Sequence, residues 1–358
     1  MNLPPLPRVL ITGGLGFIGT KLVERLHGSC EILIVDNLHP QVHQDRSAVE
    51  SVPSGIEVLE VDVADQDGMR QAAAFHPDLV FHLAAETGTG QSLLQSRRHA
   101  EVNVVGTATL LDALSADRLP SRVVLPSSRA VYGEGHWESR AGSVELATAR
   151  SSGQLREGIW TPPAVNGGEL VRPVPHDART QTPSPANIYA ATKLAQEHMI
   201  HSWGVSLGVS YAICRLQNVF GHGQALGNPY TGVLTFMARQ AALGEEIHVF
   251  EGGGIVRDFV NVRDVAAALV SAAFTEGAAD TIFDIGSGDG VTLYEVAARL
   301  AEQAGAPAPR RTDEYRAGDV RAAFADITHA SEKLGYRTSV PLADGLDELL
   351  SWASAVTR

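Results

Sequence analysis

The sequence predicts an α/β chain built on a doubly wound parallel sheet, with a smaller α/β unit toward the C terminus. Three observations carry that prediction. Short apolar runs with β-branched members alternate with helical patterns through the first 220 residues, as parallel strands joined by crossover helices require. The first run leads directly into ITGGLGFIGT, residues 11–20, with four glycines in seven positions. The second run ends on an acid, Asp36.

Arg8-Val9-Leu10-Ile11 reads as a buried strand. Beyond the glycines, Leu15, Ile18, Leu22 and Leu26 recur at spacings of three and four, one face of a helix. The glycines therefore occupy a strand-to-helix turn. Gly14, Gly16 and Gly19 satisfy G-x-G-x-x-G, and Gly13, Gly16 and Gly19 the wider G-x-x-G-x-x-G. Either spacing lets backbone approach a pyrophosphate at a helix N terminus. Ile32–Val35 is the second strand, and Asp36 closes it about 20 residues past the glycines, where a carboxylate grips ribose hydroxyls. The plainer alternative is that Asp36 merely opens a loop with Asn37. The combined strand–turn–helix–strand unit favours a Rossmann-type NAD site, and a carboxylate at 36 repels the 2′-phosphate of NADP.

Further strands are expected at Ile56–Glu60, Asp78–His82, Arg122–Leu125 and Ser210–Arg215. Residues closing strands face the ligand crevice in such a sheet. Glu134–Thr182 breaks the alternation: it is rich in Gly, Pro, Ser and Arg, without clear period, and contains Trp137 and Trp160. An ordered insertion beside the site is expected rather than a disordered loop. In the last third, Thr231–Leu243 reads as helix, Ile282–Ile285 as strand, and Thr292 with Glu295 as a capping box opening another helix. The division expected is 1–220 for the NAD-binding domain, with 134–182 inserted, and 221–358 for a mainly substrate-binding domain interleaved with the first.

Of 358 residues, 44% are hydrophobic and 19% charged, and the formal net charge is −13. That balance opposes non-specific nucleic-acid binding. Cys30 and Cys214 lie in or beside apolar runs without metal-ligand spacing, as expected of reduced core residues in a cytoplasmic protein. Neither a membrane-spanning run nor a secretory signal is visible.

Tyr189 and Lys193, in NIYAATKLAQEHM, stand at i and i+4 on one helix face. A phenol is a poor base near its usual pKa of about 10, and a neighbouring ammonium would favour the phenolate. Ser128, closing the strand in LPSSRAVYG, places a hydroxyl where it can bond the same reacting oxygen. The plain alternatives are an amphipathic helix with an exposed lysine and a serine satisfying backbone groups. Ser128, Tyr189 and Lys193 behind a dinucleotide turn favour the catalytic reading.

With those residues in place, the chain resembles the extended short-chain dehydrogenase/reductases of the nucleotide-sugar epimerase/dehydratase family, from the first strand to about residue 346. The resemblance rests on TGGLGFIG, DN at 36–37, DV at 62–63, HLAA at 82–85, NVVGT at 103–107, SSRAVYG, YAATK, RLQNVFG and RDFVNVRDV. It implies that Gly13, Gly16, Phe17, Ile18, Gly19, Asp36, Asn37, Asp62, Val63, Leu83, Ala84, Ala85, Asn103, Ser127, Tyr189 and Lys193 hold NAD, with Asp62 and Val63 flanking the adenine. It places Thr87, Ser128, Arg129, Asn218 and Val233 at the substrate, with Arg257 and Arg316 on a diphosphate. It implies no metal, and a homodimer through the helix near 93–115 and the Tyr189 helix. Leu110, Leu111 and Leu114 are candidate interface residues, or else plain core.

Departures narrow the reaction. Family dehydratases place an acid and a base, and decarboxylases a Glu, where this chain has Arg129-Ala130. A 4-epimerase acting on a nucleotide 6-deoxyhexose and a 4-ketoreductase remain. GQALGNPYTGVL, residues 223–234, and DNLHPQVH, 36–43, resemble most the branch acting on dTDP-L-rhamnose. A non-catalytic NAD sensor is the remote alternative.

Overall fold

The computed structural model describes residues 6–43, 45–224 and 232–357. Five strands, β1 (Arg8–Thr12), β2 (Glu31–Asp36), β3 (Glu57–Glu60), β4 (Leu79–His82) and β5 (Arg122–Ser128), join Ser210–Leu216 and Thr281–Ile285 in one seven-stranded parallel sheet. Across the sheet the order is Thr281–Ile285, Ser210–Leu216, β5, β4, β1, β2, β3. The order reverses between β1 and β4, and the crevice outside the carboxyl ends of those two strands is where such sheets bind ligands.

Alternate residues of β1 face opposite layers. Val9 and Ile11 pack with Leu22, Leu26, Val265 and Leu269 from the helices Phe17–Leu26 and Val262–Phe274. Leu10 packs with Met69, Leu110, Leu114 and Ile200 from the opposite side. Both faces are covered, which is why the strands read as unbroken apolar runs rather than alternating ones.

Two expectations take a more specific form. Ile282–Ile285, read with the last third, is the far strand of the main sheet, and the helix Val262–Phe274 before it covers that sheet. The chain thus leaves the first unit after Phe220 and returns. The C-terminal unit is built around the helices Val233–Ala242, Leu293–Ala304 and Leu342–Thr357. Thr292 and Glu295 form the expected capping box on Leu293–Ala304.

The insertion, without legible period, is ordered. Val144–Leu146, His136–Ser139 and Leu170–Pro173 form an antiparallel sheet in that order. Its core is Trp137, Ala147 and Leu170 packed on Ala322. The partner residue lies far along the chain, so no local pattern announces the fold.

Candidate active site

The cofactor side is shaped by backbone. Gly13 has φ +69°, and a Cβ there would stand 2.7 Å from the Ala84 nitrogen. At Gly19 a Cβ would meet the Gly13 carbonyl at 2.5 Å, so the helix packs on the turn only with glycine there. Gly16 precedes the helix Phe17–Leu26 without a side-chain cap, and Phe17 and Ile18 form its first turn. Its free N–H groups are suited to an anion. Asp36 is buried, with one carboxylate oxygen accepting from Leu15 N at 3.1 Å and the other from Leu38 N at 3.0 Å.

A cavity of about 140 Å³ joins Gly13, Gly16, Asp36, Asn37, Val63, Leu83, Ala84, Ala85 and Thr87. Asp62 lies just outside, accepting from Asn37 Nδ2 at 2.7 Å. This cradle fits a dinucleotide: glycine where a Cβ would block approach, an uncapped helix terminus, and a carboxylate at the second strand's end.

Asn103 is fully buried. It lies in a short π-helical segment, Glu101–Val105. Its Oδ1 accepts from Glu86 N at 2.8 Å, and its Nδ2 donates to Glu86 O at 3.0 Å and to Thr192 Oγ1 at 2.9 Å. It ties the cavity wall to the helix Ile188–Leu207, which carries Tyr189 and Lys193. Ser127 differs from expectation. Its hydroxyl is bonded to Glu197, which also holds Arg215 Nη2 at 2.7 Å, so Ser127 serves a buried ion pair.

Ser128 closes β5, and its hydroxyl accepts from Ala130 N at 3.2 Å. Burial raises the pKa of the Tyr189 phenol, opposed by the Ser128 hydroxyl and the Arg129 guanidinium. The expected cation was Lys193. Its ammonium instead donates to Gln196 Oε1 at 2.6 Å, and Arg129 is the cation that favours the phenolate.

On the substrate side, Arg129 Nε donates to Asn218 Oδ1 at 3.2 Å. Arg257 is not poised as expected. It donates to Asp319 Oδ1 at 2.8 Å and to the carbonyls of Val320 and Val256, each at 2.7 Å. Its acid partner is Asp319 rather than Asp258, which instead accepts from Ser287, Gly288 and Ala325. Arg316 is exposed, its guanidinium 5.6 Å from the Phe250 ring centre. Thr87 is exposed and Val233 half-buried at the start of its helix. Residues 225–231 of the 223–234 stretch lie outside the described residues.

Sequence reasoning missed the charged seam joining the insertion to the C-terminal unit. Arg150 donates to Glu134 Oε1 at 2.7 Å, to Glu251 Oε2 at 2.6 Å and to the Asp319 carbonyl at 2.9 Å. Arg321 N donates to Glu134 Oε2 at 2.8 Å. It also missed Gln41, which exchanges amide bonds of 2.7 and 2.9 Å with Gln91 at the cavity's rim. Leu110, Leu111 and Leu114 are buried against the chain's own sheet, so the interface reading of those three is withdrawn. Among the described residues no group of three or more His, Cys, Asp or Glu side chains could hold a metal ion, and no helix is long and apolar enough to cross a membrane.

The NAD dependent epimerase/dehydratase family matches residues 9–151 and 166–286. The chain belongs to that family. The unmatched gap lies inside the insertion. A dTDP-L-rhamnose 4-epimerase of Burkholderia thailandensis is 39% identical over 348 residues, 96% of this chain and 94% of that protein. The UDP-glucose 4-epimerase of Thermotoga maritima, solved with UDP-glucose, superposes with a TM-score of 0.80 at 27% identity, covering 98% of this chain and 100% of that one. The Thermus thermophilus UDP-glucose 4-epimerase, solved with NAD, gives 0.77 at 28% identity, covering 97% and 98%. This protein is an NAD-dependent enzyme on a Rossmann-type α/β fold.

Proposed function

We propose that this enzyme is a nucleotide-sugar 4-epimerase whose substrate is a dTDP-6-deoxyhexose of the dTDP-L-rhamnose type. The likeness to the Burkholderia enzyme over nearly the whole chain supports the substrate class. The observation that carries the reaction type lies after Ser128. Arg129 and Ala130 stand where an eliminating enzyme needs an acid and a base. The nearest carboxylate downstream, Glu134, has both oxygens committed, to Arg150 and to Arg321 N.

The glycine turn and Asp36 would hold NAD, which would supply reversible hydride acceptance at the C4 carbinol. Tyr189 takes the C4 hydroxyl proton as the carbonyl forms and returns it afterwards. The Ser128 hydroxyl steadies the same oxygen, and Arg129 favours the phenolate. Arg316 and Asn218 hold the substrate's polar groups, with Thr87 and Val233 at its edge, and Arg257 stiffens the strand through Asp319. The exchange is internally balanced, so no net oxidant or reductant is consumed. The insertion, fastened at Glu134 and Arg150, fixes the segment 316–321 that carries Arg316.

We infer a homodimer through the helix near 93–115 and the helix Ile188–Leu207 that carries Tyr189. Leu94, Val105 and Val205 give those helices their exposed apolar surface, and a monomer mass by light scattering at micromolar concentration would remove that assembly. The test of the reaction is incubation with dTDP-L-rhamnose and no added NADH, followed by proton NMR. Appearance of the 4-epimer, approaching a fixed ratio from either side, is expected. Conversion only of a 4-keto sugar, with one NADH consumed per product, would make it a ketoreductase.

A further inference from the structure

A buried chain of polar side chains runs from the end of β1 to Lys193. Thr12, His82, Thr107 and Gln196 are fully buried, and Lys193 is 3% exposed. The directions of the bonds follow from counting protons. Thr107 has one hydroxyl proton and gives it to the Asn103 carbonyl at 2.6 Å. Its oxygen must then accept, from Gln196 Nε2 at 2.8 Å and from His82 Nε2 at 2.9 Å. That commits the Gln196 amide, with nitrogen toward Thr107 and Oε1 toward Lys193 Nζ at 2.6 Å. It also commits His82 to the Nε2–H tautomer, so Nδ1 accepts from the Thr12 hydroxyl at 2.7 Å. Thr12 Oγ1 accepts in turn from Ala84 N at 3.3 Å.

We propose that Gln196, oriented by Thr107, which Asn103 and His82 hold in turn, is a positioning residue that fixes both the place and the charge of the Lys193 ammonium. This rests on Lys193 belonging to the NAD-dependent catalytic set. The groups facing Lys193 are few. Tyr189 and Glu197 lie on its own helix, and His82 comes from β4. Glu197 is engaged by Arg215 and Ser127, which leaves the Gln196 amide oxygen as the close acceptor for the ammonium. Burial and the Lys193 charge push the His82 imidazole down to about 3, so the ring stays neutral and the tautomer holds. Burial lowers Lys193 to about 7, opposed by Glu197. Because burial favours the neutral amine, an acceptor bonded to the ammonium favours the charged form.

Two substitutions should pull in opposite directions. Gln196→Met fills the space without an acceptor, so Lys193 should lose its proton at lower pH. Gln196→Glu adds a negative charge, so the proton should persist to higher pH. The measurement is NAD affinity by calorimetry from pH 6 to 9.5, with the pH profile of epimerisation beside it and thermal unfolding as the control for folding. The native enzyme should weaken toward NAD as Lys193 deprotonates. The midpoint should move down by about one pH unit in Gln196→Met and up by a similar amount in Gln196→Glu. Thr107→Val, which frees the Gln196 amide and the His82 imidazole but keeps the amide oxygen as an acceptor, should shift it down by less. Coincident midpoints, shifts of the same sign in both Gln196 variants, or no midpoint in the native enzyme would each overturn the proposal. Failure of the folded native chain to bind NAD at any pH would instead overturn the reading of the site itself.

Discussion

The cofactor side of the cleft is assembled from one short stretch of chain, whereas the substrate side draws on three distant ones. Gly13, Gly16, Gly19 and Asp36 lie within a single strand–turn–helix–strand unit, and Asp36 is fixed by the backbone amides of Leu15 and Leu38. On the other side, Glu134 and Arg150 come from the insertion, Glu251 and Arg257 from the C-terminal unit, and Asp319 and Arg321 from a later segment. Buried ion pairs hold these together. A backbone-made site tolerates little change in shape but carries almost no buried charge. A site made of paired charges costs several kcal/mol wherever one partner is removed.

Tyr189 stands between the two sides, and Tyr189→Phe should show the largest effect. Turnover should fall by about 10²- to 10⁴-fold, the usual worth of a positioned acid–base group. NAD should still bind, because the glycine turn and Asp36 are untouched. A parallel loss of NAD binding would mean that the two sides are not separable at this residue. Arg150→Met should act on the substrate side alone. It leaves Glu134 and Glu251, each with a side chain at most 1% exposed, with Arg321 alone of the two arginines between them, and should cost about 3 kcal/mol in urea unfolding. If the variant folds as stably as the parent, the seam is decoration and the insertion has no structural hold on Arg316. The smallest expected effect belongs to the cofactor side. Asp36→Ala should weaken NAD by about tenfold, roughly one charge-assisted hydrogen bond, and narrow the preference over NADP. An unchanged preference would remove charge repulsion as its cause.

The same contrast explains what could be read from sequence. The sheet was legible because its strands are buried on both faces and appear as apolar runs, and the glycine turn because backbone geometry dictates residue type locally. Thr292 and Glu295 were legible for the same reason. The insertion was not: Trp137 is buried by Ala322, nearly two hundred residues later. Arg257 shows the same limit. Its neighbour in sequence is Asp258, but strand geometry turns it to Asp319. Ser127 and Lys193 lie in legible motifs, yet their partners, Glu197 and Gln196, follow from helix packing that spacing alone does not resolve. Thr107 and His82 lie inside matched motifs, and only the bonds from His82 to Thr107 and from Gln196 to Thr107 give them a role.

In the proposed epimerisation one hydrogen leaves C4 and returns to the same carbon within a single cleft. That return is tested most directly with a dTDP-L-rhamnose carrying deuterium at C4, incubated with the purified enzyme and no added cofactor. The 4-epimer should form with the deuterium still at C4, while total NAD(H) stays constant. A product with hydrogen at C4, or no product until a stoichiometric reductant is supplied, would contradict it.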